Sequence, residues 1–306
     1  MKETIEYYYN LSIDKLDEKD GRYYFRVNNR DYIFVFFNRT KEELRDIFNV
    51  LQEMIQKGIK PNMMIFNIKK ELLTSVNGYS YVLLECSNGL EKFDIFDMLS
   101  VSKQLMLNNS SSLLYRNNWD ELWSKKIDYI EYQLKELAIN KTVIKNSASY
   151  YIGLSEVAIS YVVNTKRKFG RPQYRLALAH RRIFYPNYRL NYMNPLSFIF
   201  DMDIRDIAEY LKAMFFKEDM EEVLEELVGF LKVRHLNDYE AQMFLSRLIY
   251  PTYYWDLYEN VMNKMDDEEK LVQVIAKSRD MENFLKKAYL EISKYAQIEK
   301  IDWLIN

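Results

Sequence analysis

The tightest constraint on this chain lies between Leu176 and Lys212, which read LALAHRRIFYPNYRLNYMNPLSFIFDMDIRDIAEYLK. An apolar lead-in ends on His180, and Asn187 follows seven residues later. A second apolar run, Leu196 to Phe200, stops at Asp201 and Asp203. An amphipathic helix is predicted from near Ile204. An apolar strand with a carboxylate at its end is a common way to place a metal ligand at the floor of a site. Arg182 stands in the loop between His180 and Asn187, and a guanidinium accepts no proton. Two expectations follow from that arginine. It pairs with Asp201 or Asp203 and fills the place a metal takes, or it binds an anionic group on a ligand or partner. The aspartates, in the plainest reading, cap the Ile204 helix, and Asn187 sits in a turn after Pro186.

The remaining composition narrows the function classes. The 306 residues suffice for one large or two smaller domains with a substantial core. A net charge of −2 gives no electrostatic case for nucleic acid or an anionic membrane surface. No apolar run approaches the roughly 20 residues of a membrane span, and the N-terminus lacks the basic-then-apolar order of a secretory signal. Cys86 is alone, so no internal disulfide is possible and a reducing compartment is the simpler reading. Two histidines and one cysteine make a structural zinc site unexpected.

Along the chain, residues 1–86 read as mixed structure and 87–306 as almost continuous helix. Tyr23 to Val27 and Tyr32 to Phe37 are predicted strands joined by a turn at Asn28–Asp31. Asp17 to Gly21 reads as an acidic, solvated turn. Thr40 with Glu43 forms a capping-box pattern that opens a helix reaching about Lys57. Met63 to Ile68 and Tyr79 to Glu85 are two further strands, with Asn77-Gly78 as the turn between them. Beyond them, helices are expected at Phe93–Leu107, Trp119–Ile139, Ser149–Asn164, Ile204–Phe216, Met220–Lys232, Asp238–Ile249, Tyr253–Met265 and Glu268–Lys294. Asn164 to Arg171 reads as a flexible basic link.

The order His180, Asn187, Asp201 and Arg205-Asp206-Ile207-Ala208 resembles the catalytic segment of the aminoglycoside/choline-phosphotransferase branch of the protein-kinase-like fold. The resemblance implies an α+β, bilobal fold: a small, mostly antiparallel β lobe with one helix, at 1–86, and a large, mainly α-helical lobe, at 87–306. It also implies that Asp206 tethers the loop and that His180 orients it. Phosphoryl transfer in this fold needs donors over the phosphates, a strand lysine, metal ligands and an acid that takes the hydroxyl proton. Seven glycines are spread singly, so no Gly-rich phosphate loop is present. The strand from Tyr32 to Phe37 has no cation; Lys41 lies beyond it at a helix start, and Lys69 and Lys70 on a later strand. The base position holds Arg182. Asn187 and Asp201, with Asp203 nearby, keep the types and order of metal ligands.

Ala179-His180-Arg181-Arg182, the Arg205–Tyr210 helix start, Trp119-Asp120-Glu121-Leu122-Trp123 and Leu245–Tyr254 together resemble the spore coat-associated proteins of the YutH type from endospore-forming Firmicutes. The resemblance spans nearly the whole chain. It implies synthesis in the cytoplasm of the sporulating cell, association with the developing coat, and other spore coat proteins as partners. The loop residues His180, Arg182 and Asn187 read as degenerate, no cofactor is expected, and the balance is against an enzyme. The alternative is a small-molecule phosphotransferase using ATP and Mg, in which Asn187, Asp201 and Asp203 hold the metal. A pseudokinase that binds nucleotide as a switch lies between the two.

Overall fold

The computed structural model describes residues 1–19, 21–86, 91–105, 112–136 and 141–305. The expected C-terminal ends of the helices at Phe93–Leu107 and Trp119–Ile139 lie outside the described residues. Contacts divide the chain into two units. The first comprises Met1–Tyr115 with Pro186–Ile199, the second Arg116–Tyr185 with Phe200–Asn306. The composition boundary at residue 86 thus falls inside the first unit.

In the first unit, α1 (Lys2–Tyr9) precedes strands β1 (Asp17–Lys19), β2 (Arg22–Val27) and β3 (Arg30–Phe36), and then α2 (Lys41–Gln56). Strands β4 (Met63–Ile65), β5 (Thr74–Val76) and β6 (Tyr79–Cys86) follow, with α3 (Ile95–Gln104) after them. The sheet order is β1-β2-β3-β6-β4, with β5 also paired to β6, and every pairing is antiparallel. Both expected turns form. Asn28 and Asn29 take φ of 50° and 61°, and Asn77 and Gly78 take 49° and 82°. Such turns twist in the same sense as their strands, and asparagine and glycine tolerate the positive φ best. The Thr40–Glu43 capping box is present on both of its hydrogen bonds.

Four expectations need correction here. Asp17–Lys19 is an exposed edge strand rather than a turn. The Asn77-Gly78 turn joins β6 to the short strand β5, not to the strand that begins at Met63. Lys69 and Lys70 lie in a turn beyond β4, not on a strand. The small lobe carries α1 as well as α2: Ile5 and Tyr9, one helical turn apart, pack with Phe25, Tyr32, Phe34 and Leu83, and the Tyr9 hydroxyl lies 2.8 Å from Thr74 Oγ1.

The second unit is mainly helical. It holds α4 (Trp119–Glu136), α5 (Thr142–Phe169) and β7 (Leu176–His180). After the first-unit helix α6 (Arg189–Tyr192), β8 (Phe198–Met202), whose first two residues still belong to the first unit, leads into α7 (Arg205–Phe215). Then come α8 (Met220–Val233), α9 (Asp238–Ile249), α10 (Thr252–Met262), α11 (Glu269–Ala276), α12 (Ser278–Ser293) and α13 (Asp302–Ile305). β7 and β8 form a two-stranded sheet. Aromatic stacking builds much of the core: Tyr151 on Tyr254 at 3.7 Å between centroids, and Trp123 on Tyr250 at 4.1 Å.

Two further expectations fail on local chemistry. The supposed link from Asn164 is the end of α5. Lys166, Arg167 and Lys168 suit the negative end of a helix, and Lys166 binds Asp120 at 2.5 Å. The helix stops only at Gly170, with φ 69°. The single helix expected over Glu268–Lys294 is two, broken at Lys277, where the Ser278 hydroxyl donates to the Ile275 carbonyl. A serine that offers the backbone its own hydrogen bond favours such a break. Among the described residues no helix is long and apolar enough to cross a membrane.

Candidate functional site

The loop after β7 is held by the start of α7. The Asp206 carboxylate accepts the His180 backbone N–H at 3.1 Å and lies 2.6 Å from the imidazole Nδ1. Arg205 donates from Nε to the His180 carbonyl and from Nη2 to that of Arg181. Both α7 residues are buried, so β7, the loop and the helix form one polar unit. The Asp206 tether to the loop thus has the form that the resemblance implies, while the His180 ring meets Asp206 itself.

Asp201 lies in β8 and is fully buried. Its carboxylate accepts Trp119 Nε1 at 3.0 Å, Arg205 Nη1 at 2.9 Å and the Met202 N–H at 2.7 Å. Burial pushes this carboxyl above its ordinary value, against the pull of Arg205 and Arg247. Asp203 is bound at both oxygens by Arg234, at 2.9 and 3.2 Å. Arg234 also reaches Glu240 at 2.5 Å. Burial raises Asp203 too, and Arg234 opposes it.

Neither aspartate caps α7, whose N-cap is Ile204 without a side-chain bond. Nor does Arg182 neutralise either of them. It pairs instead with Asp256 of α10 at 2.6 Å and with the Arg181 carbonyl at 2.8 Å. The neutralising cations are Arg205 and Arg234. Their positions relative to the aspartates differ: Arg205 is one helical turn from Asp201 in sequence, whereas Arg234 comes from the end of α8.

Asn187 belongs to the first unit. Its amide nitrogen lies 3.8 Å from Met98 Sδ, and its backbone carbonyl accepts the Phe93 N–H at 2.9 Å. The arginine and the asparagine of the sequence motif are therefore each placed by local partners within their own unit.

A second buried network runs along α7, on residues that the sequence motif does not single out. Arg205, Glu209 and Lys212 recur at helical spacing, which is the one signal of it in the sequence. Glu209 accepts Lys212 Nζ at 3.0 Å, Arg247 Nε at 2.6 Å and the Thr252 hydroxyl at 2.6 Å. Burial alone pushes the Glu209 carboxyl up, but Lys212, Arg247 and Arg205 together outweigh it and hold the group far below its usual range. Burial lowers the Lys212 ammonium to about 8, with Glu209 opposing. The Arg247 guanidinium lies over the rings of Trp119 and Trp123, 5.0 and 5.4 Å from their centroids.

In the first unit, Arg39 is a further residue that sequence reasoning misses. Its side chain is 1% exposed and meets Glu43 of α2 at 3.2 Å. Its Nη1 donates to the carbonyls of Phe198 and Leu196 at 2.7 and 3.3 Å. A cation beside a helix glutamate is thus present near β3, but it braces backbone carbonyls. A cavity of about 670 Å³ is lined by Tyr24, Ile33, Cys86 and Leu190, with the Arg26–Asp31 ion pair in its wall.

The residues do not fit a resident divalent cation as they are arranged. A carboxylate already bound by a guanidinium has its charge compensated and its lone pairs engaged. Among the described residues no group of three or more His, Cys, Asp or Glu side chains is disposed to hold a metal.

An antiparallel sheet with a flanking helix, a helical unit, and a His-led loop tethered by a helix-start aspartate define the aminoglycoside-phosphotransferase class of kinase-like folds. Solved structures agree. The aminoglycoside phosphotransferase from Alicyclobacillus acidocaldarius superposes with a TM-score of 0.63 at 10% identity, covering 94% of each chain. A spectinomycin phosphotransferase bound to AMP gives 0.58 at 13% identity, covering 94% of this chain and 96% of that one. The choline kinase LicA from Streptococcus pneumoniae gives 0.51 at 14%, covering 96% and 98%. These likenesses show the fold.

The chain belongs to the family described as spore coat putative kinase YutH, whose model matches residues 2–288. The endospore coat-associated protein YutH of Bacillus subtilis (strain 168) is 25% identical over 346 aligned positions, covering 99% of this chain and 98% of that protein.

Proposed function

We propose that this chain is a non-catalytic, kinase-like component of the bacterial spore coat, acting there as an assembly or binding module with other coat proteins. The observation that carries the reading is Asp201. At the metal-ligand position of the motif, its carboxylate is enclosed by Trp119, Arg205 and the Met202 amide. Arg182 at the base position supports the same reading. Family membership and the coat-associated relative support the location.

One observation favours a second reading, ATP- and Mg-dependent phosphotransfer to a small molecule. The cavity of about 670 Å³ on the sheet is ample for a nucleotide-sized ligand. That reading requires Asn187, Asp201 and Asp203 to exchange their present partners for a metal.

The two readings separate in a sporulating cell that carries the chain as a fluorescent fusion. Asp201→Asn keeps an acceptor for Trp119 but removes the charge a metal needs. The assembly reading predicts that the folded variant still reaches the spore periphery and supports normal coat formation. Wild-type-like folding with lost coat formation would contradict it and favour phosphotransfer.

A further inference from the structure

A small cavity in the second unit has a chemistry that neither reading uses. It measures about 80 Å³ and is lined by Arg181, Arg182, Lys212 and Arg247, against the carboxylates of Glu209 and Asp256. Four cationic side chains and two carboxylates thus share a partly enclosed space, where screening by water is weak.

The cations are not equivalent. Lys212 is saturated, because its ammonium meets Glu209, Thr252 and the carbonyls of Arg247 and Tyr250 at 2.8–3.0 Å. It supplies field but no spare donor. Arg182 is half-exposed and held by Asp256. Arg247 differs from both. It is 3% exposed, and a guanidinium carries five N–H donors. Among the described residues, its one side-chain hydrogen bond runs from Nε to Glu209. The indole faces of Trp119 and Trp123 attract its charge but accept no conventional hydrogen bond. Among the described residues its two terminal nitrogens make no hydrogen bond to protein, and the residue lines the cavity.

We propose that this cavity is an oxyanion site, sized for a single phosphoryl group. Arg247 supplies donors from the inner wall, Arg182 closes over the group from the exposed side, and Asp256 competes with the ligand for Arg182. The ligand is either free inorganic phosphate or the phosphomonoester of a phosphorylated protein segment. Every residue of the site belongs to the second unit, so the proposal stands whether or not nucleotide binds the sheet cavity.

The test is calorimetric titration of the purified full chain, without nucleotide or divalent metal, at constant ionic strength balanced with chloride. The probes are inorganic phosphate, a phosphoserine peptide and its unphosphorylated counterpart. The site predicts saturable binding of at least one phosphorylated probe with one-to-one stoichiometry. Arg182→Gln, an exposed change that spares the fold, weakens binding about tenfold or more, as loss of a charged hydrogen bond implies. Asp256→Asn strengthens it, because the competing carboxylate is gone; a purely structural role for these residues would not give opposite signs. Peptide binding tighter than phosphate identifies a protein segment as the source, and the reverse order identifies the free ion. No saturable binding of either phosphorylated probe, or binding unchanged in both variants, overturns the proposal.

Discussion

Glu209 shows how charge is managed in the interior of the second unit. Removing a buried carboxylate that faces Lys212 and Arg247 leaves two cations uncompensated, and breaking one side of a buried pair costs about 3–5 kcal/mol. Glu209→Gln is therefore expected to lose stability of that order at pH 7 in chemical denaturation. The sign of its pH dependence follows from the lowered carboxyl. In the unfolded chain the group takes up its proton near the usual 4.5, whereas in the folded chain it does so only in stronger acid. The stabilising contribution is thus present above 4.5 and is lost as pH falls below it. The difference between wild type and variant should shrink progressively in acid. A difference that stays constant down to about pH 3 would contradict the assigned ionisation. The residues at this scale are only partly legible in the sequence. His180 and Asp206 can be paired because their roles follow from the order of the motif. Arg182 is assigned the wrong carboxylate, since sequence order cannot say that α10 brings Asp256 nearer than β8 brings Asp201 or Asp203.

Among the elements, local chemistry carries the reading furthest where a side chain closes a backbone bond within a few residues. The Thr40–Glu43 box and the Asn28-Asn29 and Asn77-Gly78 turns are of this kind. Thr40→Ala removes the acceptor of the Glu43 N–H and should cost about 1 kcal/mol, measured as a lower denaturation midpoint at unchanged m. A change of under a few tenths would mean that tertiary contacts alone hold the start of α2. Elements escape the sequence where distant packing decides. α1 is marked there only by Ile5 and Tyr9, and its partners Phe25, Phe34 and Leu83 lie far along the chain. β1 is a wholly exposed edge strand, so no alternation of apolar and polar residues announces it. The basic end of α5 looks like a linker because its cations are dense, yet cations at a helix C-terminus are stabilising.

For the molecule as a whole, the fold is legible because one long motif and the order of the early strands point to the same class. The condition of the site is less so. Absence of a lysine on β3 is visible in the sequence, but Arg39 turning towards the carbonyls of Leu196 and Phe198 is a product of tertiary placement. The same holds for Trp119, which lies 82 positions before the aspartate it binds. Enclosure of Asp201 leaves it no room for a metal, and nucleotide binding reports on that directly. Thermal unfolding of the purified chain should be followed with and without millimolar ATP, in magnesium and then in manganese. A ligand at a hundred times its dissociation constant adds about 2.7 kcal/mol to the native state, which moves the midpoint visibly. With Asp201 enclosed, no metal-dependent shift with nucleotide is expected. A shift that requires the metal and disappears in a folded Asp201→Asn variant would contradict that enclosure.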